Sequence, residues 1–362
     1  MMSQQTFRSS GRFSRPLLAA GLGCILAAGA IGGAALAAPA NESKPAEPAK
    51  AALVKDIPTP AKPAKAYKFE LITKSNASPY WLAVKEGADA AAAKYGVHVT
   101  FEAPASGLDL PAQIAMVNNS VTAGVDGIIL AAQNPKALLT PVQGALAHHV
   151  PVVTVDSGLD PNISDGFLAT SNIGAAAALA RYAATHLMDH KGEYAIVDFN
   201  HTSSTGIARP EGFEKGMKGF TDIKRMGPVL YSENSISKGI SLASNLLTEY
   251  PDLKVIFGAN DRSALGPATA VKNAHSKVMV VGFDADLGEI PYIHEGVIQA
   301  SILQSPYDMG YYGVVELLDV IEGKSIPKRV DTPYFMLTPQ NIGSAAATTA
   351  IRQYAPKYQP AS

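Results

Sequence analysis

The groups that could do chemistry stand at the ends of apolar runs. Leu253-Lys-Val-Ile-Phe-Gly-Ala stops at Asn260-Asp261, and Val278-Met-Val-Val-Gly-Phe stops at Asp284. A carboxylate accepts hydrogen bonds and an amide both donates and accepts, so these tips suit the binding of a polar ligand. None of them is a nucleophile. Each run is nearly continuous rather than alternating, as expected of a parallel strand buried on both faces, and Arg262 to Ala274 between them has helical composition. That makes a βαβ unit. In an open parallel sheet, ligands sit in the crevice beyond the carboxyl ends of the strands, where these polar tips point.

Catalytic signatures are missing from the rest of the chain. His186 and His190 have the i, i+4 spacing of a metal-binding helix face, but no nearby Glu completes a zinc-protease pattern, and surface histidines are the commoner outcome. The sequence contains no Gly-x-Ser-x-Gly elbow, phosphate loop or dinucleotide fingerprint. The single cysteine, Cys24, lies in the amino-terminal segment. No enzyme activity, metal or cofactor is expected.

The elements that must position the polar tips alternate along the chain. Lys68 to Thr73 reads as strand, and Pro79 opens a helix with Trp81, Val84, Ala88, Ala91 and Tyr95 at helical spacing, closed by Gly96. Val97 to Phe101 is a strand; Asp109 caps a helix carrying Ile114, Val117 and Val121; Gly127 to Leu130 is a strand. A helix over Pro135 to His148 and a strand over Val150 to Val155 follow. A second set then begins: helix over 172–190, strand over 194–199, helix over 206–219, strand at 229–230, helix over 238–250 and the βαβ unit. Glu289 to Glu295, a strand at 299–303, a helix over 306–322 and a strand at 334–337 complete it. Strands alternating with helices predict doubly wound parallel sheets, here in two similar lobes.

With 362 residues, 47% hydrophobic and 17% charged, the chain has enough material for two cores. Arg8, Arg12 and Arg15 precede an apolar run from Leu17 to Ala37 that ends in Ala35-Leu36-Ala37, the pattern of a secretory signal peptide over residues 1–37. Lipid anchoring at Cys24 is the minority alternative. Without residues 1–37, which hold three of the 30 basic side chains and no acid, 27 basic groups face 31 acidic ones, a formal charge of −4. Such a surface argues against nucleic acid as a partner. Residues 38–66, rich in Pro, Ala and Lys, read as a disordered tether.

Five motifs in order, Thr73-Lys-Ser-Asn-Ala-Ser-Pro-Tyr-Trp, Pro151-Val-Val-Thr-Val-Asp, Arg209-Pro-Glu-Gly-Phe, Phe257-Gly-Ala-Asn-Asp and Val280-Val-Gly-Phe-Asp, resemble the type I periplasmic sugar-binding proteins of the ribose-binding kind. The resemblance spans roughly Tyr67 to Ile342. It implies an α/β fold of two Rossmann-like lobes joined by a three-crossing hinge near Ser171, Gln304-Ser305 and Asp331 to Pro333. The expected first lobe is 67–171 plus 305–332, the second 172–304 plus 333–345, and 346–362 is a tail. The implied ligand shell is Lys74, Ser78, Tyr80, Trp81, Asp156 and Ser157 from the first lobe and Arg209, Asn234, Asn260 and Asp284 from the second, with Gln304 at a hinge.

Three departures from the ribose binder, Ser157 beside Asp156, Asn234 in place of a stacking Phe and Lys74 in place of a small Ser, point to a sugar or polyol other than ribose. Lys74 also raises an acidic or phosphorylated ligand. The expected function is a monomeric periplasmic protein delivering its ligand to the permease of an ABC importer. A periplasmic sensor subunit and a secreted enzyme on the same scaffold are the alternatives. Asp261 is expected to cap a helix rather than face the ligand, and one of Tyr80 and Trp81 to lie in the core.

Overall fold

The structure, a computed structural model, describes residues 52–76, 78–353 and 358. The expected signal peptide, Cys24 and the first part of the tether lie outside the described residues. The chain runs β1 (Ala52–Leu53), β2 (Lys68–Ile72), α1 (Pro79–Tyr95), β3 (His98–Glu102), α2 (Leu110–Thr122), β4 (Gly127–Leu130), α3 (Leu139–Ala147), β5 (Val152–Val155) and β6 (Gly166–Thr170). It continues with α4 (Asn172–Tyr182), β7 (Lys191–Asp198), α5 (Ser204–Met217), β8 (Asp222–Arg225), β9 (Leu230–Tyr231), α6 (Ile236–Glu249), β10 (Leu253–Gly258), α7 (Asp261–Asn273) and β11 (Met279–Asp284). The last elements are α8 (Ile290–His294), β12 (Ile298–Leu303), α9 (Pro306–Ile321), β13 (Val330–Thr332), β14 (Phe335–Leu337) and α10 (Ala345–Ile351).

These strands form two sheets, ordered β1-β13-β6-β5-β4-β2-β3 and β14-β12-β11-β10-β7-β8, with β9 paired to β7. The first is parallel throughout and the second is parallel except for β14 against β12. The chain passes from one sheet to the other between β6 and α4, between β12 and α9, and between β13 and β14. Both faces of each sheet are covered: α1 packs with α9 and α2 with α3 on the first, α4 with α5 and α6 with α7 on the second. That explains the nearly continuous apolar runs of β4, β5, β10 and β11, since an inner strand covered on both sides has no solvent face. Gly87 and Gly310 let α1 and α9 touch through their backbones, for a Cβ on either would collide with a carbonyl of the other helix. The helix that returns after the second crossing is thereby locked onto the first lobe.

Several elements differ from the sequence reading. The sequence reading lacks β6 and β13, which run directly into crossings, β13 over only three residues, and β8, because Asp-Ile-Lys-Arg is an exposed edge with one buried residue. The helix expected to reach His190 loses regular α geometry after Tyr182, and Ala183 to Leu187 form a π-helical turn. His190 then lies beyond the helix with a left-handed φ of 60°. His186 stacks on Tyr182 and His190 on Phe220, so the two rings do not share a helix face. Among the described residues no group of three His, Cys, Asp or Glu is arranged to hold a metal.

The expected tether is structured from Ala52 onward. β1 pairs with β13, Ile57 and Pro60 are buried, Lys62 lies beside Gly96 at the end of α1, and Lys65 pairs with Asp126 at 3.0 Å. Composition misses this because the burial is carried by single apolar residues within a Pro- and Lys-rich stretch. The segment is a strap across the first lobe. Deleting residues 1–66 should therefore lower the melting temperature by roughly 5 °C relative to deleting residues 1–49, since one buried Ile contributes about 2 kcal/mol. Equal melting of the two truncations by scanning calorimetry would show the strap to be passive.

Candidate functional site

The carboxyl ends of the strands of both sheets face one another across a cleft that encloses about 80 Å³ of water-accessible space. Since one water needs roughly 10–15 Å³ on this measure, the space holds several waters, the scale of a small organic molecule. From the first lobe come Lys74 and Ser75 after β2, Ser78, Tyr80 and Trp81 at the start of α1, Gly107 and Leu108 before α2, and Asp156 after β5. The second lobe supplies Phe199 and Asn200 after β7, Thr205 and Arg209 on α5, Asn234 before α6, Asn260, Asp261 and Arg262 opening α7, and Asp284 ending β11.

Asp156 is the centre of the first-lobe wall. It accepts from Tyr80 Oη at 2.9 Å and Ser157 Oγ at 2.6 Å and pairs with Lys74 Nζ at 3.1 Å. Burial pushes its pKa up, but Lys74, Arg209 and these hydrogen bonds outweigh burial and hold the carboxyl below its ordinary range. Trp81 stands edge-on to Tyr80 with centroids 4.9 Å apart, and Lys74 Nζ lies 5.8 Å from the Trp81 ring.

In the second lobe Arg209 is only 3% exposed. Its Nε donates to Asn172 Oδ1 at 2.8 Å, its Nη1 donates to Ala259 O at 2.9 Å and lies 3.4 Å from Asp284 Oδ1, and its guanidinium stacks 4.0 Å from the Phe283 ring. Asp284 also accepts from Gln304 Nε2 at 2.5 Å and from the Asp261 backbone N–H at 3.3 Å. Burial raises the Asp284 pKa against the pull of Arg209. Burial with the nearby Asp284 and Asp286 charges pushes Asp261 up to about 7. Behind the wall, Asp198 at the end of β7 is pushed to about 8 by burial, against its Phe199 N–H bond and Arg209.

Nine of the sequence candidates line the cleft: Lys74, Ser78, Tyr80, Trp81, Asp156, Arg209, Asn234, Asn260 and Asp284. Ser157 and Gln304 do not; both are buried behind it, bonded to Asp156 and Asp284 respectively. Three positions differ from expectation. Asn260, not Asp261, caps α7, its Oδ1 accepting from Ser263 N at 3.0 Å, while Asp261 faces the cleft. An amide can accept with its oxygen and still donate with Nδ2, here to Asn234 and Asp261, so it serves cap and wall together. Tyr80 and Trp81 both line the cleft, and Arg209 lies within α5 rather than on a loop. Sequence reasoning missed Ser75, Gly107, Leu108, Phe199, Asn200, Thr205 and Arg262. The signal was available for Phe199 and Asn200, which directly follow the buried strand β7.

A family model for a periplasmic binding protein domain matches residues 69–325. The chain belongs to the periplasmic binding protein family. This family member is 30% identical over 298 residues to a D-ribose/D-allose-binding protein of Pseudomonas aeruginosa, covering 77% of this chain and 90% of the relative. It is 29% identical over 272 residues to a D-allose-binding periplasmic protein of Escherichia coli, covering 72% and 87%. Among solved structures, it resembles an ABC transporter solute-binding protein from Agrobacterium vitis with bound D-fucose (31% identity, TM-score 0.73, 77% of this chain and 98% of that one). A carbohydrate transporter solute-binding protein from Agrobacterium radiobacter in complex with D-arabinose is similar at 27% identity and TM-score 0.76, covering 80% of this chain and 100% of that one.

The raised carboxyls give this binding protein a defined pH response. A group protonated more readily in the folded than in the unfolded state contributes stability that is complete below the unfolded pKa, about 4, and is lost as pH rises through the folded value. For Asp261 and Asp198 those values are about 7 and about 8. Melting temperature should therefore fall between pH 5 and pH 9. Asp198→Asn, which mimics the protonated carboxyl, should flatten the fall and melt above the wild type at pH 9. An unchanged slope in scanning calorimetry would mean that Asp198 titrates normally.

Proposed function

We propose that this chain is an exported solute-binding protein that captures a neutral sugar or polyol in the inter-lobe cleft and delivers it to the permease of an ABC importer. The observation that carries the reading is the charge balance of the wall. Lys74, Arg209 and Arg262 stand with Asp156, Asp261 and Asp284, beside the rings of Tyr80, Trp81 and Phe199. Cations matched one for one by carboxyls, among them Asp261 with its pKa pushed up to about 7, offer donors and acceptors to hydroxyls with little net charge to attract an ion, and aromatic faces suit the C–H side of a sugar. Lys74 is matched by Asp156, which argues against an acidic or phosphorylated ligand. The sugars in the names of the relatives and solved structures above are uncharged monosaccharides, which supports the same class.

Polar groups from both lobes reach a ligand together only when the lobes are apposed, so binding favours closure, and an importer that docks on the closed pair ignores the open one. The chain acts in this scheme as a monomer without a catalytic step. Export by the segment 1–37 places it in the periplasm.

Three measurements test the proposal. In a thermal-shift panel of pentoses, hexoses, polyols and sugar acids, one neutral member at 100 times its Kd should add about 2.7 kcal/mol of stability, and sugar acids should add none. Stabilisation by none, with turnover of any compound, would replace binding by catalysis. Asp284→Ala should weaken the identified ligand more than about tenfold by calorimetry, because a charged partner contributes about 1.5–3 kcal/mol. Arg209→Ala is the poorer probe, since its partners Asn172 and Ala259 are structural. Mass spectrometry of protein from its native envelope should find the amino terminus near Ala38; an acylated Cys24 would make the chain a lipoprotein.

A further inference from the structure

One cleft hydroxyl has three protein partners within 3.5 Å, and they come from both lobes. Thr205 stands in the first turn of α5, where the turn is fixed from two sides. Ser203 Oγ accepts from Gly206 N at 3.1 Å, and Asn200 Oδ1 accepts from Ser203 N at 2.9 Å. Gly206 must be glycine here, because a Cβ would collide with Asn200 O. Thr205 Oγ1 lies 3.3 Å from Lys74 Nζ and 3.5 Å from Ser157 Oγ, both of the first lobe, and 3.2 Å from Ser203 Oγ of its own turn.

Hydrogen accounting fixes the direction of two of these bonds. Ser157 gives its hydrogen to Asp156 Oδ2 at 2.6 Å, so towards Thr205 it can only accept. Ser203, which takes the Gly206 N–H, can give its hydrogen to Thr205 or accept from it, and Lys74 can only donate. With Ser203 donating, Thr205 accepts from Lys74 and Ser203 and gives its hydrogen to Ser157, which uses the one hydrogen and both lone pairs of a hydroxyl. We propose that Thr205 is a clasp, a positioning residue that stabilises the apposed lobes through Lys74 and Ser157 and does not touch the captured molecule. Lys74, bound to Asp156 at 3.1 Å, then serves closure rather than ligand charge. Because the clasp favours the closed state whatever fills the cleft, losing it weakens every ligand by one factor and leaves their ranking unchanged.

The effect on affinity rests on the sugar-capture reading, whereas the effect on lobe separation does not, and the two are measured apart. The full chain contains one cysteine, so Cys24→Ser allows spin labels at Leu82→Cys on α1 and Ile207→Cys on α5, positions 46% and 51% exposed. Pulsed electron resonance without added sugar should show Thr205→Val and Ser157→Ala each moving the distance distribution to longer values, with Thr205→Ser, which keeps the hydroxyl, restoring it. Calorimetry with D-allose and D-ribose as probes should show Thr205→Val losing about fivefold in affinity for each probe that binds. Unchanged distances in both loss variants overturn the clasp, and so does a loss confined to one sugar, which would make Thr205 a ligand contact. If neither probe binds, the capture of these sugars fails while the distances still decide the clasp.

Discussion

A guanidinium that is almost wholly buried must be surrounded by acceptors, because it cannot shed its charge. Arg209 meets that demand with three partners from distant parts of the chain. Asn172 opens α4 at the first crossing, Ala259 follows β10, and Asp284 ends β11. Asp284 in turn is held by Gln304 at the second crossing. One side chain thus ties two of the three crossings to a carboxylate of the cleft wall. In the proposed opening of the cleft, the crossings would have to turn about this group for the second-lobe wall to stay intact.

The wall is also built with backbone strain. Asp156, Asn234 and Asp284 have φ of 60°, 57° and 90°, in the region that favours glycine. Each such residue costs of order 1–3 kcal/mol and persists only when its surroundings over-determine it. The surroundings are the side-chain bonds themselves: Tyr80, Ser157 and Lys74 hold Asp156, Asn260 holds Asn234, and Gln304 and Arg209 hold Asp284. The strained turns aim polar groups into the cleft before any ligand arrives, which spares the ligand the cost of ordering them.

Two kinds of polar group therefore share the cleft. Some, such as Thr205 on the wall and Ser157 behind it, are engaged by protein partners across the lobes. Others, including Arg262, have few protein partners; its one hydrogen bond among the described residues reaches Asn234 O at 3.4 Å. In the proposed capture, selectivity would rest on the second kind, because only a group with open valences can reward one stereochemistry over another.

The sequence by itself determined the two parallel sheets and most of the wall. Buried strands are nearly continuous in apolar residues, so β4, β5, β10 and β11 are visible as runs, and the ends of β10 and β11 point Asn260 and Asp284 at a crevice without any knowledge of packing, whereas Asp156 entered through the family resemblance. The strap escaped because its few apolar residues, Ile57 and Pro60, have no periodicity and gain their burial only against an already folded lobe. Tertiary structure alone decided which polar residues are wall and which are support. Ser157 and Asp156 are adjacent, yet one turns inward, and Asn260 takes the cap while keeping its place in the wall beside Asp261. Thr205 meets Lys74 across 131 positions of chain. Such a contact depends on how two lobes are apposed, and no local pattern of residues encodes that distance.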